Sequence, residues 1–120
     1  MYNIRVDTVK NRLYVTLVGF FSLDEIKKCG DETIEATKRL RSGYDVVTDI
    51  SQFKAGTPEV AEDIKRVQHH FRSSGARQGA RIVGENPIAK MQFRRTSSQV
   101  AYNSVDVATL AEAERLLDDL

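Results

Sequence analysis

Tyr44-Asp45-Val46-Val47-Thr48-Asp49-Ile50, then Ser51-Gln52-Phe53-Lys54-Ala55-Gly56, then Thr57-Pro58-Glu59-Val60 is the stretch on which the fold turns. Its first seven residues are a short β-branched run without clean alternation, the pattern of a strand covered on both faces and so central in its sheet. Ser51–Gly56 reads as an irregular loop. Thr57 then offers an N-cap hydroxyl, Pro58 stands where a missing N–H costs nothing, and Glu59 puts negative charge in a first helical turn. Val60, Ile64, Val67 and Phe71 recur at spacings of three and four, which predicts the buried stripe of a helix ended by Ser73-Ser74-Gly75.

Toward the amino end, Tyr2, Ile4, Val6 and Thr8 alternate with polar residues, and Leu13, Val15, Leu17 and Gly19 alternate again after Lys10-Asn11. Two strands joined by a tight turn are predicted. Ser22 and Glu25 have capping-box spacing. The helix they open is expected to run to about Arg41, with Leu23, Ile26, Gly30, Ile34, Thr37 and Leu40 on its buried side and Ser42-Gly43 as its stop. Toward the carboxyl end, Ala80–Gly84 predicts a strand. Asn86-Pro87 repeats the cap-plus-proline signal and opens a helix through Ile88 and Met91 to about Arg95. Gln99–Tyr102 reads as an edge strand, and Asp106 as the cap of a last helix with Leu110, Ala113, Leu116 or Leu117, and Leu120 inside.

The predicted order is ββαβαβαβα, an α/β domain over residues 1–120 whose single-layer, mostly parallel sheet begins with an antiparallel hairpin. A chain of 120 residues supports one such core. No run approaches the ~20 apolar residues of a membrane span. Met1-Tyr2-Asn3-Ile4-Arg5-Val6 lacks the basic-then-apolar layout of a signal peptide, so a cytoplasmic location is expected. Cys29 stands alone among helical apolar residues and reads as an inert packed thiol. The net charge of +1 conceals a segment, Lys65–Arg95, with eight basic residues against Glu85 alone. This asymmetry either polarises the surface toward an acidic partner or is cancelled by pairing across the fold.

This order, with the pattern Val46-Val47-Thr48-Asp49-Ile50-Ser51, Phe53 and Thr57-Pro58 and with the Gly84-Glu85-Asn86-Pro87 turn, resembles the STAS domains over nearly the whole chain, most closely the SpoIIAA-like branch named after an anti-sigma-factor antagonist. The resemblance implies a regulatory or protein-docking module without catalysis or cofactor. In those antagonists the loop entering the second helix carries Asp-Ser-Ser-Gly, whose serine is phosphorylated. Here the matching residues are Ala55-Gly56-Thr57-Pro58-Glu59, so the serine pair is missing and Thr57 is the only candidate phospho-acceptor. Pro58 removes a backbone donor, and Glu59 already occupies the site with charge. A constitutive module without that switch is expected.

The partner-binding candidates are Asp49, Ser51, Lys54, Gly56 and Thr57, because open α/β sheets bind at the carboxyl ends of their strands. The alternative function is the holding of a small apolar or lipid-like ligand by Phe20, Phe21, Phe53, Phe71, Met91 and Phe93. A homodimer is compatible with the sequence. His69-His70 point about 100° apart on a helix and do not share a metal, and Gly75-Ala76-Arg77-Gln78-Gly79 lacks the Lys-Ser/Thr ending of a phosphate loop. Arg94-Arg95-Thr96-Ser97-Ser98 reads as a solvated helix end. No basic stripe with interleaved aromatics points to nucleic acid.

Overall fold

A computed structural model describes residues 1–120. Its strands are β1 (Tyr2–Asp7), β2 (Arg12–Gly19), β3 (Asp45–Phe53), β4 (Gln78–Ile82) and β5 (Ser104–Val107). The helices are α1 (Leu23–Thr37), α2 (Pro58–Ser73), α3 (Pro87–Gln99) and α4 (Leu110–Asp118), which completes the order ββαβαβαβα. The sheet runs β1-β2-β3-β4-β5, with β1 antiparallel to β2 and every later pair parallel. No helix is long and apolar enough to cross a membrane.

The pleat sends alternate residues to opposite faces. Leu13, Val15, Leu17, Val46 and Ile50 meet α1, α2 and α3 in a cluster of 17 buried residues, whereas Tyr14, Val47, Ala80 and Ile82 meet α4 in a cluster of six. β3 thus lies in the middle and is covered on both sides, as its β-branched run without clean alternation predicts. Thr57 Oγ1 accepts the Val60 N–H at 3.4 Å and Asn86 Oδ1 accepts the Ala89 N–H at 3.3 Å, each with proline at the first helical position. Cys29 is buried, and desolvation pushes its thiol up to about 11, out of reach of ordinary thiolate chemistry.

Several boundaries differ from those predicted. α1 stops at Thr37, with tighter turns carrying the chain to Leu40, and its buried side is Cys29, Thr33 and Ala36 with Ile26 and Thr37. Leu23 is exposed and Ile34 half-buried. The predicted loop Ser51–Phe53 is strand. Thr16 pairs with Asp49 and Val18 with Gln52, so β3 carries one extra residue, a bulge that brings Ile50 and Phe53 to the same core. β4 lies at Gln78–Ile82, earlier than Ala80–Gly84.

The largest correction is at β5. Gln99 ends α3, Ala101 turns the chain at φ 56°, and the strand comes only at Ser104–Val107. Asp106 is therefore a strand residue, and Thr109 caps α4 by accepting the Glu112 N–H at 3.2 Å. The competing demand is electrostatic. Arg81 on β4 is buried under α3, and Asp106 is its register partner, with Nε 3.8 Å from Oδ1. A buried guanidinium requires a carboxylate more than an exposed helix requires one of several possible caps.

Candidate functional site

The predicted partner-binding residues gather at the carboxyl end of the sheet, where α1, α2 and α3 begin. Asp49 and Ser51 bracket the β3 bulge: Asp49 Oδ1 accepts from the Ser51 N–H at 3.0 Å and from Ser51 Oγ at 2.7 Å. Their polar atoms thus hold the bend first. After Phe53 the chain is clamped from α3. Asn86 Nδ2 donates to the Ile50 and Phe53 carbonyls at 3.1 and 2.7 Å, and Gln92 accepts from Gly56 N–H at 3.3 Å while donating to Gly56 O at 3.1 Å. A Cβ on Gly56 would lie 2.5 Å from Val60 Cγ1, so this close passage of loop over helix admits only glycine. The loop before α2 is a braced shelf.

Lys54 extends from that shelf with its Nζ 5.2 Å from the Phe20 ring centroid. Phe20 is 72 % exposed, although Phe21 beside it is buried against Phe53. On α3, Ile88 and Met91 are 66 % and 70 % exposed, on the same side of the helix as Gln92. α3 carries Lys90, Arg94 and Arg95 and no carboxylate. Arg94 is held by Asp106 at 3.0 Å, and Lys90 and Arg95 have no ion partner. Thr57 is exposed, with its hydroxyl committed to the cap. The rim therefore combines apolar side chains and a braced loop with the unpaired Arg95, which follows Ile88 and Met91 along one side of α3, whereas Lys90 lies on another side of the helix.

The six residues proposed for an apolar ligand do not form one pocket. Phe20 and Met91 point outward, and Phe21, Phe53 and Phe93 form a row in the core with centroids 5.8 and 5.5 Å apart, the first pair tilted and the second edge to face. Phe71 and Phe93 line a partly open pocket of about 50 Å³ between the sheet, α1, α2 and α3. An apolar cavity of ~150 Å³ is what takes up a benzene ring, so this one is too small for an acyl chain or an aromatic ligand. Gln68 Oε1 and Arg81 Nη1, both buried without partners, also line it, an arrangement suited to bridging water.

The basic segment Lys65–Arg95 is largely neutralised by neighbours: Lys65 pairs with Glu62, Arg66 with Asp63 and Asp31, Arg77 with Asp45, and Arg81 and Arg94 with Asp106. Of the histidines, His70 lies 2.8 Å from Thr37 Oγ1 through Nε2. That hydroxyl donates its one hydrogen to Ile34 O at 2.6 Å, so His70 is the donor. Burial, with Lys38, Arg66 and His69 nearby, lowers its pKa from the ordinary 6.5. No group of three or more His, Cys, Asp or Glu side chains is placed to hold a metal ion. Gln92 and Ile88 are rim residues that the sequence does not single out. The doublet Phe20-Phe21 after a glycine carried the available signal, because two successive residues rarely face one core.

No family model matches this chain, and no curated protein matches it in sequence.

Proposed function

We propose that the chain is a non-catalytic, STAS-like docking module that receives an acidic, partly apolar protein surface on the rim formed by Phe20, Lys54, Ile88 and Met91. The observation that carries this reading is the Phe20–Lys54 pair. An aromatic ring held 72 % exposed above a loop that α3 fixes through Asn86 and Gln92 is binding area already ordered before a partner arrives. Arg95, which continues the Ile88 and Met91 side of an α3 without carboxylates and has no ion partner, favours an acidic counterpart. Pro58 and the capping role of Thr57 support a surface that is always available, with no phosphate cycle at this loop.

Affinity capture with the tagged chain, quantified by mass spectrometry, tests the proposal. Ile88→Asp with Met91→Asp is expected to reduce recovery of a reproducible partner by at least about tenfold, since two central apolar anchors together exceed ~1.4 kcal/mol. Undiminished recovery by this variant, with an unchanged melting temperature, removes the rim as the docking surface.

A further inference from the structure

The two edges of the sheet are not alike. β5 is only four residues long, follows the left-handed turn at Ala101, and points the Asp106 carboxylate inward. Short length and inward charge are the usual protections of an edge strand. β1 has six residues, no proline, no lysine and an unbroken register with β2. Met1 and Val18 exchange both backbone hydrogen bonds, at 3.1 and 2.8 Å, so by antiparallel alternation Asn3, Arg5 and Asp7 also face β2. Tyr2, Ile4 and Val6 therefore direct their N–H and C=O groups to the open edge. The side chains of these same three residues pack against the main core and remain only half-buried.

Beside this edge runs an open groove, lined by Tyr2, Asn3 and Ile4 on one side and by α1 on the other. The α1 wall carries charge in a fixed order, Glu32 and Glu35 followed by Lys38 and Arg39, with Glu35 and Lys38 2.9 Å apart as an exposed pair at its middle. Tyr2 donates its hydroxyl to Glu32, which places the acidic part of the wall beside the start of β1. A wall that is acidic at one end and basic at the other is complementary to its own reverse.

We infer that the β1 edge, with the adjoining face of α1, is the interface for a second copy of this chain. The two β1 strands pair antiparallel about a two-fold axis at Ile4, so that Tyr2 lies opposite Val6 of the other copy and every outward N–H and C=O of the three residues is used. Asn3 faces Arg5 across the seam, and the acidic end of each α1 wall meets the basic end of the other. The half-exposed Tyr2, Ile4 and Val6 become interior, and the sheet continues through both molecules. The rim of Phe20, Lys54, Ile88 and Met91 contributes no residue to this pairing, so the inference stands or falls separately from the docking proposal.

Sedimentation velocity over a concentration series tests it, with Ile4→Pro and two charge variants, Glu32→Lys/Glu35→Lys and Lys38→Glu/Arg39→Glu. The wild type is expected to reach twice its 13.5 kDa chain mass. Ile4→Pro removes an outward donor without touching the β1–β2 ladder and is expected to weaken association at least about tenfold. Each charge variant alone is expected to be monomeric, and an equimolar mixture to form a heterodimer, because one wall is then wholly basic and the other wholly acidic. A wild type that stays monomeric, or charge variants that dimerise alone as the wild type does, overturns the inference. The charge variants decide the matter even where Ile4→Pro fails to fold.

Discussion

The two ends of the sheet use similar residues to opposite effect. At the amino end of the parallel strands, Arg77 binds Asp45 with two hydrogen bonds at 2.9 and 2.7 Å and reaches the Leu117 and Leu120 carbonyls at 3.2 and 3.3 Å. Arg12, 3 % exposed, meets Asp118 at 3.0 Å and Glu114 at 3.4 Å, and Tyr14 donates to Glu114. These charges are spent within the molecule, where they fasten α4 over the smaller core. At the carboxyl end, Phe20, Ile88 and Met91 are exposed, and Arg95, farther along the same side of α3, lacks an ion partner. Charge at one end is satisfied inside the fold; at the other, apolar area and charge are left over on a braced surface, and the docking proposal rests on that difference.

The contrast breaks most severely at Asp45. Asp45→Ala leaves Arg12 buried beside fewer compensating carboxylates, and a loss of about 3–5 kcal/mol is expected in urea unfolding. Gly56→Ala, on the other side, forces a Cβ into Val60 and is expected to cost about 1–3 kcal/mol while loosening the shelf under Lys54. Thr57→Ala loses the α2 cap, about 1 kcal/mol, and phosphopeptide mapping of native protein is expected to find no stoichiometric phosphate there.

Acid separates the regions further. Burial depresses the folded-state pKa of His70, so the unfolded chain binds more protons near pH 6.5, and stability falls as the pH drops through that value. Glu114 lies below its usual 4.5 even though its partial burial acts to raise it, because hydrogen bonds from Tyr14 and Lys10 and the Arg12 charge prevail. Its contribution is present above pH 4.5 and is lost below. Melting temperatures across pH 8 to 3 are expected to fall in two stages, the first removed by His70→Gln and the second blunted by Glu114→Gln. The smallest effect belongs to the rim. Phe20→Ser is expected to change stability by no more than about 0.5 kcal/mol, whereas Phe53→Ala in the core costs about 3–5 kcal/mol. A large loss from Phe20→Ser would make that ring part of the core and end the comparison.

Local chemistry alone determined the element order, the central place of β3, the caps at Thr57 and Asn86 and the packed Cys29, because each depends on residues within one or two turns of chain. The hairpin, the parallel crossovers and the gathering of Asp49, Ser51, Lys54, Gly56 and Thr57 at one end follow from that order. Tertiary structure decided the rest. Asp106 has the form of a helix cap and became a buried counter-ion, since Arg81 lies 25 positions earlier in the chain and only the β4–β5 register brings them together. Ser51–Phe53 has the composition of a loop and became strand, because the bulge and the Asn86 clamp supply the bonds that its sequence lacks. Phe20 and Phe21 are identical in composition and opposite in fate, one on the rim and one in the core, because backbone direction at the end of β2 sets which ring packs against Phe53 and which faces water.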